Sequence, residues 1–168
     1  MIILGVDPGL NATGYGILEA VAGELRVIAA GDIRPPPQRP LEERLGLIHG
    51  TLSRLIRRHR PDTVVLEKLF THHGHVTTAA LMGHARGAAC LAVHDCGLPL
   101  AEYPPTQVKK SLTGNGHASK QQVARMVAQW LRHSDSSWSA DATDALALAI
   151  IHARLERQRL NLPAGVLG

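Results

Sequence analysis

The sequence predicts an α/β fold: a mixed five-stranded sheet with helices on both faces. Three observations carry this. The first 33 residues read as three strand-like runs separated by short turns, the pattern of an antiparallel meander. Beyond residue 40 the apolar residues recur at helical spacing. Two further apolar runs then alternate with helical segments, which places helices around one sheet. At 168 residues with 45% hydrophobic content, the chain is long enough for one domain with a sizeable core.

Each element has its own signal. Residues 2–7, IILGVD, are an unbroken apolar run closed by Asp7. Residues 13–19 and 25–33 read as two more strands, with Ala22-Gly23 as the turn between them. Arg34-Pro35-Pro36-Pro37 is a stiff extended connector. Leu41, Leu45, Ile48, Leu52 and Leu55 form the core stripe of an amphipathic helix, with Arg44, Arg54, Arg57 and Arg58 off the stripe. Val64-Val65-Leu66 is a fourth strand, and it too ends on an acid, Glu67. Thr77 or Thr78 is expected to cap a helix rich in alanine and glycine that runs to about Asp95, with Gly97 as its stop. Gly83 and Gly87, four apart, allow another backbone to approach, from a second molecule or from within the fold. Leu98–Tyr103 is the fifth strand, ended by Pro104-Pro105. Ser119-Lys120-Gln121-Gln122 is a capping box, followed by an apolar face of Val123, Met126, Val127, Trp130 and Leu131. The last helix is expected from about Asp141 to Gln158, giving a domain over 1–158 and a flexible tail over 159–168.

Composition narrows the class. No apolar stretch approaches the roughly 20 residues that span a bilayer, and no basic leader precedes the first strand, so a cytoplasmic protein without a membrane partner is expected. Cys90 and Cys96 lack zinc-site spacing and read as reduced helix residues. The His72-His73-Gly74-His75 cluster lacks the i,i+4 spacing of a helical metal pair and reads as a solvated loop. A net charge of +4 and a pI of about 9.5 favour a polyanionic partner only modestly.

The acids are more informative. Asp7 could belong to a turn, to a phosphate cradle or to a metal site. Asp141 and Asp144 are three apart and share one helix face, which continues through Leu148, Ile151 and Leu155. Taken alone, they also suit an N-cap and its N3 partner. With Asp7 and Glu67 there are four acids at the edge of a core, and burying even one unpaired carboxylate costs several kcal/mol. No lysine or arginine is embedded in those strand ends. Hard oxygen donors without cysteine or histidine point to Mg²⁺ or Mn²⁺. Two such ions about 3.5–4 Å apart can clamp the attacking and leaving oxygens of a phosphoryl displacement, with Asp7 as the bridging ligand.

With these residues placed, the chain resembles the RuvC family of bacterial Holliday junction resolvases. The matching stretches run from ILGVDPGLNATGYGIL through RPDTVVLEKLF, GHARGAA and PPTQVKKSLTGNGHASKQQV to DATDALALAIIHA. The resemblance implies a ribonuclease H-like fold and Asp7, Glu67, Asp141 and Asp144 as catalytic and metal-binding carboxylates. It implies Mg²⁺ or Mn²⁺, two per site with substrate bound, and a homodimer that nicks two like-polarity strands of a four-way DNA junction, leaving 5′-phosphate and 3′-hydroxyl ends. It also implies work beside the RuvA and RuvB branch-migration proteins in recombination and repair. Two departures stand out: the stretch His72–Val76 is about one residue longer than usual, and Thr143 replaces a more usual alanine.

For DNA, Phe70 suits either core packing or base stacking at the junction centre, and the resemblance of EKLF favours stacking. Lys109, Lys110 and Lys120 flank the Gly114-Asn115-Gly116 loop and could neutralise phosphates; by resemblance Lys109 and Lys120 contact DNA. Arg86 could be a dimer or a DNA contact. Two other readings compete. A phosphate-binding ATPase of the actin or sugar-kinase type would need two such domains, for which the chain is too short. A non-catalytic junction-binding module would not need all four acids.

Overall fold

The computed structural model describes residues 1–68, 76–132 and 138–160. Five strands form one sheet in the order β3-β2-β1-β4-β5: β1 Ile2–Asp7, β2 Thr13–Val21, β3 Glu24–Ile33, β4 Thr63–Glu67 and β5 Leu100–Tyr103. The first three are antiparallel, whereas β4 pairs parallel to β1 and β5 parallel to β4. The sheet is therefore mixed, as expected. The β2–β3 turn falls at Ala22-Gly23, where both residues have positive φ, the backbone that matches the twist of a tight hairpin.

Five helices cover the sheet: α1 Leu41–His59, α2 Val76–Asp95, α3 Pro105–Thr113, α4 Lys120–Trp130 and α5 Ala140–Leu160. Alternation along the strands divides the core into two layers. Leu4, Val6, Ile17, Val64 and Leu66 pack with Ile48, Leu52 and Ile56 of α1 and with Ala85, Ala89 and Val93 of α2. Ile3, Leu18 and Val65 face the other way, onto α3, α4 and the apolar middle of α5. Every residue of α5 from Ala145 to Ala153 is buried, so this helix is enclosed between the sheet and the shorter helices.

Several expectations need correction. The stripe of α1 holds at Leu45, Ile48, Leu52 and Leu55, which are buried or pack against the core; Ile56 joins it, and Leu41 is 37% exposed. Arg44 lies off that stripe, and its guanidinium donates to the Leu10 carbonyl and to Asn11 Oδ1. Helix α2 begins at Val76, so Thr77 and Thr78 lie inside it rather than before it. Strand β5 begins at Leu100, since the Leu98 N–H is still used to close the end of α2 on Val93 O. Lys109 and Lys110 lie on a helix that the sequence did not signal, α3, just before the Gly114-Asn115-Gly116 loop. Pro105, needing no N–H, opens α3, and Gly114 closes it at φ 80°. The Ser119 capping box is present in both directions.

Glycines set how closely α5 approaches the sheet. A methyl group on Gly5 would lie 2.0 Å from the Ala145 carbonyl oxygen, and one on Gly14 2.0 Å from that of Asp141. One on Gly16 would lie 2.7 Å from the Leu146 side chain. The bare backbone of β1 and β2 is thus a floor on which the N-terminal half of α5 lies.

Candidate active site

The topology brings the acids together. Strands β1 and β4 are parallel neighbours with Val6 opposite Leu66, so Asp7 and Glu67 end adjacent strands at the same edge. By the two-residue period, both lie on the sheet face of Ile3 and Val65, the face that carries α5. Gly14 sits opposite Asp7 in the β1–β2 ladder and directly beneath the Asp141 carbonyl. The first turn of α5 is thereby held above the two strand ends, and it carries Asp141 and Asp144.

A cleft of about 290 Å³ opens there, lined by Asp7, Glu67, Asp144, Lys109 and Lys120 over an apolar floor that includes Val108, Val123 and Leu148. Asp141 stands beside it, 36% exposed. Asp7 is pushed up to about 7, first by burial and then by the charges of Asp144, Glu67 and Asp141; Lys120 opposes the shift. Glu67 is also raised, by burial and by Asp144, against Lys109 and Lys120. The carboxylates repel one another in a half-dry site, and the protein compensates only in part.

Lys120 provides much of that compensation. Its Nζ donates to Asp144 Oδ2 at 3.3 Å, and Asp144 is the chief cause of its own raised pKa. The strand ends contain no cation, as the sequence indicates, but the first residue of α4 delivers one from across the cleft. Lys109, half-buried on α3, also lines it, whereas Lys110 points out to solvent.

The capping explanation of the aspartates does not hold. Ser139 caps α5: its Oγ accepts the Ala142 N–H at 3.1 Å, and its carbonyl accepts the Thr143 N–H at 3.0 Å. The cap of α5 therefore does not use the side chains of Asp141 and Asp144. Thr143 adds a hydroxyl bond of 2.8 Å to the same Ser139 carbonyl, which strengthens the turn. Arg86 is only 14% exposed and is committed inside the molecule. Its guanidinium donates to the Glu67 carbonyl at 2.7 Å and pairs with Glu102 on β5, bracing the strand end that carries Glu67. Phe70 and His72–His75 lie outside the described residues.

Oxygen-only donors with mutually raised affinity for positive charge suit a hard divalent cation. Among the described residues no three of these groups already converge as a closed coordination shell. The donor chemistry fits such an ion, and Lys120 occupies part of the same electrostatic position. No described helix is long and apolar enough to cross a membrane.

Sequence reasoning missed Asp32, Arg34 and Ser139, which meet beside the Asp141 turn. Arg34 reaches Asp32 at 2.8 Å and Asp141 at 3.9 Å. A serine directly before a helix is a readable cap signal, but its partnership with Asp32 spans 107 residues and has no local signature.

Known proteins are similar to this chain in sequence and in fold. A protein of Bradyrhizobium diazoefficiens described as crossover junction endodeoxyribonuclease RuvC is 44% identical over 166 residues, covering 99% of this chain and 93% of that protein. The RuvC structure from Thermus thermophilus superposes with a TM-score of 0.86 at 34% identity, covering 95% of this chain and 97% of that one. The T. thermophilus RuvC in complex with Holliday junction substrate gives 0.87 at 34% identity, over 95% and 96% of the two chains. The profile of the family described as crossover junction endodeoxyribonuclease RuvC matches residues 3–152, a span that includes both acid-ended strands and the Asp141 turn. With its ribonuclease H-like sheet and its acids gathered at one edge, the chain belongs to the RuvC family of endonucleases.

Proposed function

We propose that this chain resolves four-way DNA junctions by paired hydrolytic nicks, using Asp7, Glu67, Asp141 and Asp144 to hold divalent metal. The observation that carries the site assignment is Asp7. A strand-end carboxylate pushed up to about 7 by burial and three other acids is a poor structural element and a good ligand. The relative described in complex with a Holliday junction supports the substrate.

Bound Mg²⁺ or Mn²⁺, two per site with DNA present, would polarise the attacking water and stabilise the leaving 3′ oxygen. Asp7, on the central strand, would serve both positions; Glu67 would serve one flank, and Asp141 and Asp144 the other. Lys109 and Lys120 would neutralise the scissile phosphate, and Lys120 would exchange Asp144 for that phosphate as the strand enters. Water adds at phosphorus and the 3′ oxygen leaves, giving 5′-phosphate and 3′-hydroxyl ends. Phe70 would stack on a base at the junction centre. Lys110 would make an outer phosphate contact, and Arg86 would brace the site rather than touch DNA.

Two nicks call for two sites, and a homodimer supplies them with the two-fold symmetry of the junction. Its interface would be the outer face of α2. A Cβ on Gly83 or Gly87 would meet nothing within 4 Å among the described residues, which supports an outward role for both. Leu81 and Leu91 on the same helix are 42% and 53% exposed. RuvA and RuvB would be partners in the cytoplasm, where a branch-migration motor delivers the junction.

The test is a synthetic four-way junction incubated with Mg²⁺ and either wild type or Asp144→Asn. Wild type should give symmetric nicks in two like-polarity strands; the variant should bind without nicking. Equal cleavage of plain duplex would sink the junction reading, and undiminished nicking by the variant would remove Asp144 from the site.

A further inference from the structure

Outside the cleft, a further carboxylate faces the first turn of α5. Asp32 lies near the end of β3, with its side chain only 13% exposed. Its Oδ1 accepts the Ser139 hydroxyl at 2.5 Å, and its Oδ2 accepts from Arg34 at 2.8 Å. Ser139 has one hydroxyl proton, and Asp32 takes it. The Ser139 lone pairs are therefore turned toward the helix, where the Ala142 N–H donates at 3.1 Å. An ordinary N-cap needs only the serine oxygen. Here a mostly buried carboxylate is added, at a desolvation cost, and it is charge-balanced by an arginine that also lies 3.9 Å from Asp141 Oδ2.

The consequence is geometric. Gly14 fixes the height of the Asp141 turn above the sheet, because the backbones touch there. Height alone leaves the turn free to slide and to rotate about the α5 axis. The Asp32–Ser139–Ala142 chain ties it laterally to β3, at the sheet edge away from Glu67. The geometry points to Asp32 and Ser139 as positioning residues that set where Asp141 and Asp144 stand for the divalent cation. Neither touches substrate or reacting atoms. This inference rests on the carboxylate-site reading above.

The test compares wild type with Ser139→Ala, Ser139→Thr, Asp32→Asn and Asp141→Asn. Free Mn²⁺ is followed by electron paramagnetic resonance in the DNA-free protein, and junction cleavage is measured across a Mn²⁺ titration. Ser139→Ala should raise the Mn²⁺ Kd about tenfold, the usual size for removing a residue that orients a metal ligand. Its cleavage midpoint should shift by the same factor, with the maximal rate recovered at saturating Mn²⁺ and junction binding in EDTA unchanged. Ser139→Thr keeps the hydroxyl and should restore wild-type affinity. Asp32→Asn, nearly isosteric and independent of the cap oxygen, should shift the Mn²⁺ Kd in the same direction as Ser139→Ala. If Ser139→Ala and Asp32→Asn lower only the melting temperature and leave the Mn²⁺ Kd at the wild-type value, the network is a cap and nothing more. If Asp141→Asn itself leaves Mn²⁺ binding unchanged, the failure belongs to the carboxylate-site reading and overturns the inference built on it.

Discussion

Asp7 is the residue where fold and function pull in opposite directions. Its folded pKa, about 7, is raised from 3.8 by burial and by three neighbouring acids. Between those two values the native state holds a proton that the unfolded chain has lost. The stability this group provides is therefore fully present below about pH 4 and is lost as pH rises through 7. A shift of that size corresponds to a penalty of up to about 4 kcal/mol in metal-free protein above neutrality. Asp7→Asn removes the penalty, because the amide stays neutral. In EDTA at pH 8 the variant should melt several degrees above wild type, at about 2–4 °C per kcal/mol for a chain of this size. At pH 4 the two should melt nearly together. Equal stabilisation at both pH values would mean that charge at Asp7 is not the cause. The same variant should lose nicking activity, so that gain of stability and loss of function come from one atom change.

At the scale of elements, the site depends on how closely α5 can lie on β1 and β2. Gly14 is the tightest point next to the acids: a Cβ there would lie 2.0 Å from the Asp141 carbonyl oxygen and 2.8 Å from the Ala142 nitrogen. Both neighbours are backbone, so the helix must move rather than a side chain. Gly14→Ala should cost about 2–3 kcal/mol in denaturant unfolding, the usual range for forcing an extra group into a packed interior. It should also weaken Mn²⁺ binding, because the displaced turn carries Asp141 and Asp144. A folded variant with unchanged metal affinity would show that the turn tolerates the shift. The sequence displays these glycines plainly, but nothing local says what lies above them. Strand-end acids could be read because an apolar run ending in Asp or Glu is legible within six residues. Helix α3 was not, because Pro104-Pro105 signals a break whether or not a helix follows. The α1 stripe is legible at Leu45, Ile48, Leu52 and Leu55, whereas only the fold decides that Leu41 leaves it and Ile56 enters it.

At the scale of the molecule, α2 has two jobs on two faces: Met82 lines the cleft, and Gly83, Gly87 and Leu91 lie on the face proposed for the dimer. In the proposed dimer, a substrate with two scissile strands would see two clefts at a spacing fixed by one isologous contact. Gly87 offers a clean way to break that contact. It is exposed, a Cβ there would meet nothing within 4 Å among the described residues, and glycine inside a helix costs about 1 kcal/mol relative to a good helix former. Gly87→Arg should therefore stabilise the isolated protomer slightly while placing like charges across a two-fold axis. Sedimentation equilibrium should show wild type as a dimer and the variant as a monomer with an unchanged or higher melting temperature. On a supercoiled plasmid that extrudes a cruciform, wild type should give linear product from two coupled nicks. The variant should give nicked circles, because each chemical site is intact but the second nick is no longer delivered with the first. A variant that stays dimeric would move the interface off this part of α2. One that is monomeric yet still linearises the plasmid within a single binding event would separate pairing of nicks from pairing of subunits.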